Sequence, residues 1–402
     1  MVICGSGLLD GEKRDPIRKQ MEKKKILLFT NWYEPGYKGG GPIQSCRNIV
    51  ETFKDKFDFF VFTSDRDLGE NIPYPGIDTD QWNESSEGVK IWYASPLFLR
   101  KHNVQKLIAG LDPDIVYFNS MFSPKYTLLP LWVLIQTNFA GKTVLAPRGM
   151  LHQGAMQQKN IKKNVFLKIF KLMGLYRKIV FHATGEQEQK DIVSNISKNA
   201  KVIVAENIPN LDGEPWKERS KTSNHLNCVF ISRIETKKNL HYFLEVLNRT
   251  DDSCSINFDI YGEEEDLNYT RRCKELAGAL KPHIHIRFLG PLPHWEIFST
   301  IRRYHLFILP TLGENFGHAI FEAMSTGCPV LISDQTPWLN LASQKLGWDL
   351  PLKDPDKFLD ALRQALHFDQ AEYNIWSRNA YQYASDFYQR LDTKTAYLKL
   401  FC

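Results

Sequence analysis

The chain has 402 residues, of which 43% are hydrophobic and 12% aromatic, and its formal net charge is +5. At roughly 150 residues per domain, this length predicts two domains, with three as the alternative. The composition excludes wholesale disorder and a small disulfide-held fold, because it supplies enough apolar side chains for two cores.

The first elements of the chain are a leader, a strand and a glycine-rich loop. Residues 1–24 look like an unstructured leader, with Met21 as an alternative start to Met1, and residues 26–30 form the first predicted strand. The loop that follows contains three consecutive glycines, Gly39, Gly40 and Gly41. They let the backbone approach a phosphate closely, and a flexible turn is the alternative. The loop does not match the G-x-G-x-x-G motif, so it does not support a dinucleotide site. No P-loop motif occurs, so a P-loop phosphate site is not supported either.

Short β-rich runs alternate with amphipathic stretches up to about residue 205. We predict strands at 26–30, 59–63, 89–93, 115–118, 143–146, 179–182 and 202–205, and helices at 43–53, 104–111, 162–173 and 187–194. Apolar, β-branched strands that alternate with helices predict a parallel sheet covered on both faces.

Residues 115–185 form a basic window without a single Asp or Glu. Such a region attracts anions: phosphates, an anionic membrane face or nucleic acid. We do not expect nucleic acid, because no recognition motif accompanies the charge. The ten basic residues of the window are Lys125, Lys142, Arg148, Lys159, Lys162, Lys163, Lys168, Lys171, Arg177 and Lys178.

One stretch of this window, residues 159–178, mixes lysines with apolar side chains. A basic amphipathic helix of this kind can lie on an anionic membrane. A surface helix with its apolar face in the core is the commoner explanation, and both stay open.

No stretch is apolar for the ~20 residues that span a bilayer. The seven scattered cysteines, without a Cys-x-x-Cys pair, predict reduced thiols and exclude a disulfide framework or zinc site. No signal peptide is evident. We therefore expect a cytoplasmic protein, with peripheral contact to the inner face of the cell membrane as an open extension.

The pattern restarts after a linker at 207–213. We predict strands at 228–231, 256–261, 284–289, 306–309 and 329–332, helices at 240–247, 267–280, 295–301, 317–325 and 355–366, and a long helical stretch at 369–400. The predicted domains are therefore 25–208 and 209–385. Ligands of such sheets bind beyond the carboxyl ends of the strands, so the cleft between the domains is the expected site.

The strongest motif lies at residues 309–324. A predicted strand ends at Leu309, a short loop carries Glu314, and a helix begins near Gly317. The start of a helix favours a phosphate. Glu322 follows about two turns along the helix, so the two carboxylates can accept hydrogen bonds at two ends of one elongated ligand. The alternative is a pair of solvated carboxylates, but Glu322 lies among apolar neighbours, where it needs a partner.

Glu314 and Glu322, with seven residues between them, resemble the E-x7-E signature of retaining family 4 glycosyltransferases of the bacterial surface-polysaccharide type. The resemblance implies the α/β GT-B fold: two doubly wound Rossmann-like domains, an interdomain cleft, and a C-terminal helix (about 386–402) that crosses back to the N-terminal domain. It implies that Glu314 and Asn315 meet the donor sugar and that Glu322 binds the ribose. The backbone of Phe316 and Gly317 would face the sugar and diphosphate.

Other positions fit the same family. It places an Arg at a strand end and a Lys five residues on, here Arg233 and Lys238, although Lys237 could exchange roles with Lys238. Two cations that converge on a diphosphate would neutralise the departing nucleotide. An ordinary basic loop is the alternative, and Asn239 stands where the family usually has Gly. The remaining donor contacts implied by the resemblance are Gly39, Gly40, Gly41, Gly262, Pro291 and Leu292.

The first half departs from the family at one strand end. Many members carry a His there, close to the donor sugar. Here the predicted strand 143–146 runs into Pro147 and Arg148, with His152 further on. Arg148 or His152 takes the place of this His beside the donor sugar, or both are ordinary loop residues. The identity of the donor sugar therefore stays open.

These features predict a metal-independent hexosyltransferase without a cofactor, which moves a sugar from a nucleotide-sugar to a polysaccharide or lipid-linked glycan. UDP is the carrier that the resemblance favours. The alternatives are a nucleotide-sugar epimerase of GT-B-like fold and a non-catalytic sugar-binding protein.

Overall fold

Two largely parallel β-sheets, one in each half of the chain, organise the molecule. The computed structural model describes residues 23–152, 156 and 160–402, without the side chains of 160–162 and 393. Most of the predicted leader, together with Lys159, therefore lies outside the described residues. The predicted fold class, with two doubly wound α/β sheets, is confirmed.

The first sheet has eight strands in the order β3-β4-β2-β1-β5-β6-β7-β8, and only the edge strand β3 is antiparallel to its neighbour. Its buried strands are short apolar runs, as expected for a parallel sheet with helices on both faces. The strands are β1 (Lys25–Phe29), β2 (Asp58–Ser64), β3 (Trp82–Glu84), β4 (Lys90–Ala94), β5 (Ile115–Phe118), β6 (Lys142–Leu145), β7 (Ile179–Ala183) and β8 (Lys201–Val204). The helices are α1 (Gly41–Phe53), α2 (Lys101–Leu111), α3 (Leu129–Gln136), α4 (Asn160–Leu172) and α5 (Glu186–Asn195).

The second sheet has six parallel strands in the order β11-β10-β9-β12-β13-β14. The strand order reverses between β9 and β12, which is where doubly wound sheets bind their ligands. The strands are β9 (His225–Ile231), β10 (Ser255–Tyr261), β11 (Ile284–Gly290), β12 (Leu306–Leu309), β13 (Val330–Ser333) and β14 (Gly347–Leu350). The helices are α6 (Leu240–Leu247), α7 (Leu267–Gly278), α8 (Ile297–Ile301), α9 (His318–Ser325), α10 (Pro355–His367), α11 (Gln370–Arg390) and α12 (Thr393–Phe401).

The C-terminal stretch differs from the single helix predicted for 369–400. It breaks into α11 and α12 at Leu391, whose backbone is extended. Asp392 then starts the last helix, because its side chain accepts a hydrogen bond from the backbone N–H of Thr395. The short strands β3 and β14 were also absent from the prediction.

Helix α12 packs against the first sheet rather than the second. Tyr397, Leu400 and Phe401 are all buried in the cluster that contains Phe53 and Phe57. The Phe401 ring lies 5.5 Å from that of Phe57. The end of the chain therefore returns to the first half after the second half is complete. Within the described ranges, no helix has the length and apolar character that crossing a membrane requires.

Candidate functional site

A cleft of about 270 Å³ lies between the two halves, beyond the carboxyl ends of both sheets. It contains all but two of the residues that the sequence singled out for binding or chemistry. These are Gly40, Gly41, Arg148, Arg233, Lys238, Gly262, Pro291, Leu292, Glu314, Asn315, Phe316, Gly317 and Glu322.

Gly39 and His152 do not line this cleft. Gly39 is buried within its loop, where an added Cβ would meet Ile43 and Trp32 at 3.1 and 3.2 Å. Only the two later glycines of the run therefore reach the cleft. His152 is exposed, and its Nδ1 lies 3.1 Å from a carboxylate oxygen of Asp191. Of the two candidates to replace the family's His, only Arg148 is in position.

Glu314 and Lys238 form an ion pair at the switch point of the second sheet. Lys238 follows β9 and Glu314 follows the neighbouring β12, which explains how residues 76 positions apart meet with 2.5 Å between Nζ and Oε1. The hydroxyl of Thr311 donates a second hydrogen bond to the same oxygen at 3.1 Å. Burial acts to raise the pKa of Glu314, but the charges of Lys238 and Lys237 outweigh it and lower that pKa. The carboxylate is therefore held ionised.

Lys237 is placed differently from Lys238. Its carbonyl oxygen accepts hydrogen bonds from the Leu312 N–H at 2.8 Å and the Thr311 hydroxyl at 3.2 Å, so its backbone joins the two loops. Burial lowers the pKa of its ammonium group. Lys238 is compensated by a carboxylate, whereas Lys237 lines the same cleft without a salt bridge to any described residue.

Arg233 lies at the mouth of the same region. It forms ion pairs with Glu235, at 2.9 Å, and with Glu265, and about a third of its side chain (31%) is exposed. Gly262 lies beside it at the end of β10. A Cβ at Gly262 would lie 1.9 Å from the carbonyl oxygen of Ser232, so no larger residue fits this close approach of two backbones.

Glu322 has the buried partner that its apolar neighbours required. Its side chain is 2% exposed, and Oε1 lies 3.2 Å from Nε2 of His294. His294 begins a short helical turn soon after Pro291 and Leu292, whereas Glu322 lies within α9. The sequence indicated the need for a partner but not its identity.

The loop between β12 and α9 is fixed by residues that follow β13. The Glu314 N–H donates to the carbonyl of Gln335 at 2.9 Å, and the Trp338 indole N–H donates to the carbonyl of Phe316 at 2.6 Å. Gly317 precedes α9 with φ +78°, a conformation that side chains disfavour. This arrangement directs the start of α9 into the cleft.

Among the described residues, three polar contacts cross the cleft. Lys38 pairs with Glu263 at 3.1 Å, and the Asn315 amide donates to the Thr184 hydroxyl at 2.6 Å. His318 Nε2 lies 3.1 Å from the hydroxyl oxygen of Ser45. Burial lowers the pKa of His318 to about 4, so this imidazole is neutral at pH 7. His318 directly follows the predicted Gly317, but only the fold reveals its contact with α1.

Arg148 faces the cleft from the first half, just after β6. Its Nε donates to the Asn119 side-chain oxygen at 2.7 Å, and one terminal nitrogen donates to Asn207 at 2.5 Å. The other terminal nitrogen donates to the Tyr117 hydroxyl at 2.8 Å. These three acceptors fix the guanidinium in place.

The cleft carries an excess of positive charge. Its lining includes five Lys and Arg residues against three Glu residues. Such an excess attracts an anionic ligand. In the part of the chain that the structure describes, no three His, Cys, Asp or Glu side chains are grouped so as to hold a metal ion.

Comparisons with known proteins point to one family. Residues 214–383 match the glycosyl transferases group 1 family. The GtfA subunit of a UDP-N-acetylglucosamine–peptide N-acetylglucosaminyltransferase from Streptococcus agalactiae is 23% identical over 186 residues, which are 44% of this chain and 35% of that protein. The phosphatidyl-myo-inositol mannosyltransferase of Mycolicibacterium smegmatis is 26% identical over 274 residues, 66% of each chain. The chain thus spans about a third of the first relative and about two thirds of the second.

A solved structure supports the architecture over nearly the whole chain. Anabaena HepE, in complex with UDP and glucose, matches with a TM-score of 0.65 and 15% identity over 94% of this chain and 98% of that one. At this identity the likeness establishes the fold, which is GT-B. Residues 214–383 therefore form a glycosyl transferases group 1 domain, carried by a chain with the GT-B fold.

Proposed function

We propose that this protein is a retaining glycosyltransferase that moves a sugar from a UDP-sugar to a polysaccharide or lipid-linked glycan. The observation that carries the proposal is the meeting of Arg233, Lys238 and Glu314 at the switch point of the second sheet, in one cleft with Glu322. This set offers cations for a diphosphate and carboxylates for hydroxyl groups, which together match a nucleotide-sugar.

The cations lie where a diphosphate would be released. Arg233 and Lys237, which has no salt bridge to a described residue, would bind its oxygens, and Lys238 would add charge while it orients Glu314. The start of α9 would supply backbone N–H groups. Charge that develops on the departing nucleotide would be stabilised by groups already in place, without a metal.

The two glutamates would bind the two ends of the donor. Because Glu314 is held ionised, it would accept hydrogen bonds from sugar hydroxyls, with Asn315 beside it. Glu322, oriented by His294, would accept hydrogen bonds from the ribose hydroxyls. The cross-cleft contacts would keep the halves closed and exclude water from the reaction.

The choice of UDP rests on similar proteins. The name of the Streptococcus relative contains a UDP-sugar, and the Anabaena structure holds UDP and glucose. The acceptors named for the two relatives differ, one a peptide and the other a phosphatidyl-inositol lipid. The acceptor class proposed here therefore rests on the basic window.

Donor turnover tests this proposal. UDP-, GDP- and ADP-sugars would be incubated with cell-envelope glycolipid extracts, and the anomeric configuration of the product would be read by NMR. We expect one donor to be consumed only with an acceptor and with retention, and Glu314→Gln to lower the rate about 100-fold or more. Interconversion of free donor without an acceptor would instead indicate an epimerase. A folded protein that binds donors without turnover would indicate a sugar-binding protein.

We further propose that α4 contacts an anionic membrane. The helix has one apolar face in the core, formed by Phe166, Leu167 and Phe170. A second apolar stripe faces outward: Val165, Ile169 and Met173 are about half exposed, and Leu172 is 89% exposed. The core contact fits the interpretation as a surface helix, and the exposed stripe is what a contact with a membrane would need.

Basic residues surround the outward-facing apolar side chains of α4. Lys168 and Lys171 are exposed on the same helix, and Arg177 and Lys178 follow it. No Asp or Glu occurs between residues 115 and 185 to oppose them. Exposed apolar side chains flanked by cations favour a bilayer with anionic headgroups.

Vesicle flotation tests this contact. We expect binding to phosphatidylglycerol-containing vesicles, weaker binding to phosphatidylcholine alone, and loss of binding in Ile169→Glu/Leu172→Glu. Leu97→Glu is the matched control, since Leu97 is 73% exposed in the same half but outside α4. Equal binding by the double variant and the control variant would refute the membrane role of α4.

A further inference from the structure

Arg148 is a cation whose hydrogen-bond partners in the protein are all neutral. They are the amide oxygens of Asn119 and Asn207 and the hydroxyl of Tyr117. Among the described residues, no carboxylate forms an ion pair with it, although Arg233, Lys238 and Lys38 in the same cleft all have one. The Arg148 charge therefore has no described carboxylate in direct contact, although the carboxylate of Glu188, which accepts a hydrogen bond from the Gly149 N–H, acts on it at longer range.

The guanidinium also has donor capacity left. It carries five N–H groups, and the three contacts occupy one on each nitrogen. Each terminal nitrogen thus keeps one N–H, and the side chain lines the cleft. A partly buried cation with a fixed orientation and free donors is a receptor for a carboxylate or phosphate, which such a fork binds through two oxygens.

Two further polar atoms without a partner lie in the cleft, Gln44 Oε1 on the side of Arg148 and His318 Nδ1 on the opposite side. His318 Nδ1 and Gln44 Oε1 are buried and form no hydrogen bond with any described residue. Both residues line the cleft. His318 connects to Arg148 through a chain of contacts, because Ser45 lies 3.1 Å from His318 and 3.4 Å from Asn207, which accepts a hydrogen bond from Arg148. Unsatisfied buried polar groups are costly, so these atoms point to a bound polar ligand.

Arg148 lies apart from the proposed diphosphate site. Arg233, Lys237 and Lys238 follow β9 in the second half, whereas Arg148 follows β6 in the first half. The residue after Arg148 approaches the proposed sugar-binding loop: a Cβ at Gly149 would lie 3.4 Å from Cβ of Asn315. Arg148 thus faces the sugar end of the cleft rather than the nucleotide end.

We propose that Arg148 binds an anionic group, a carboxylate or a phosphate, carried by the donor sugar or by the sugar of the acceptor, and that hydroxyl groups of the same sugar donate to Gln44 Oε1 and His318 Nδ1. This inference rests on the proposed glycosyltransferase function and narrows its substrates to acidic or phosphorylated sugars. Neutral hexoses would leave the charge of Arg148 without a partner.

Calorimetry with paired ligands tests the inference and distinguishes the two sources. In the donor arm, UDP-glucuronate is compared with UDP-glucose, which differs in the carboxylate. In the acceptor arm, glucuronate and glucose 6-phosphate are compared with glucose in the presence of UDP. We expect at least a 10-fold preference for the anionic ligand in one arm. Arg148→Gln should remove most of this preference and change the affinity for UDP by less than about two-fold.

Two further variants guard against a change in folding. Arg148→Lys keeps the charge and should retain part of the preference. Tyr117→Phe removes one of the three contacts that fix Arg148 and should retain part of the preference, because Asn119 and Asn207 still hold the guanidinium. An equal affinity for acidic and neutral ligands in both arms, with normal UDP binding, would overturn this inference alone. A loss of UDP affinity in Arg148→Gln as large as the loss for the acidic ligand would also overturn it. Failure of the wild type to bind UDP would contradict the proposed function as well.

Discussion

His294 shows how single residues complete a site that a motif only outlines. Glu322 belongs to a recognisable pattern, and its apolar neighbours indicated that it needs a partner. The partner comes from a loop 28 residues earlier in the chain. No local signal connects the two, because their meeting depends on how β11 and β12 are arranged in the sheet.

Replacement of His294 by Ala should weaken UDP binding about 10-fold, because Glu322 would lose its orienting contact. Gln can place an N–H near the same point, so His294→Gln should recover part of the loss. Isothermal calorimetry measures both. His241→Ala is the matched control, since His241 pairs with Tyr269 and does not line the cleft. Equal UDP affinities for His294→Ala and the control would argue against this role.

Gly262→Ala should destabilise the protein by about 2 kcal/mol or more, because its Cβ would collide with the backbone of Ser232. Gly110→Ala is the matched control: Gly110 is exposed in α2, with no atom within 4 Å of the added Cβ. There the exchange should stabilise by about 0.5–1 kcal/mol. Urea unfolding measures both changes, and a neutral Gly262→Ala would disprove the predicted collision.

At the level of elements, the sequence predicted most strands and helices of both sheets, because alternating apolar runs and amphipathic stretches are local signals. It missed β3 and β14, which are only three and four residues long. It also joined α11 and α12, because the helical pattern continues across the break at Leu391. The side chains that fix the loop before α9, such as Trp338, were identifiable only from the fold.

Helix α12 should hold the first half together although it follows the second half in sequence. Phe401 is 1% exposed and packs against Phe53, Phe57 and Phe59. Phe401→Ala should therefore lower the free energy of unfolding by about 3–5 kcal/mol. Leu172→Ala, at an exposed position of α4, should change it little. Denaturant unfolding that finds similar stabilities for the two variants would contradict the proposed docking of α12.

At the scale of the whole molecule, buried neutral histidines should make the stability depend on pH. Burial lowers the pKa of His305 to about 4 and that of His182 to about 3, from 6.5. His305 also accepts a hydrogen bond from the Asn227 N–H through Nδ1, which protonation would break. Below pH 6.5 the unfolded chain binds protons that the folded protein excludes, so stability falls as pH falls.

The fall should be measurable between pH 6.5 and pH 4. His305→Gln should make the decline shallower by up to about 1.4 kcal/mol per pH unit, since one titrating group is removed. His285→Gln, at an exposed position, is the matched control. Denaturant unfolding at several pH values supplies the comparison. A slope for His305→Gln equal to that of the wild type would contradict a neutral His305.

The architecture of the whole molecule was predictable because two strand–helix series and one family motif agree. The contacts that close the cleft were less predictable from the sequence, because they join residues more than 100 positions apart. Examples are Ser45 with His318 and Thr184 with Asn315. Sequence patterns within one half carry no information about the face that the other half presents. Arg148 illustrates this, since its place in the cleft depends on contacts from Asn119 and Asn207.

The central claim is that the cleft binds a nucleotide through the cations of the second half, and nucleotide calorimetry tests it most directly. UDP, GDP and ADP would be titrated without added metal into wild type, Arg233→Ala and the control Lys217→Ala. The Lys217 side chain is 66% exposed and pairs with Glu214. We expect binding of one nucleotide, UDP, that weakens at least 10-fold in Arg233→Ala and not in the control. A well-folded wild type that binds none of the three would contradict the account.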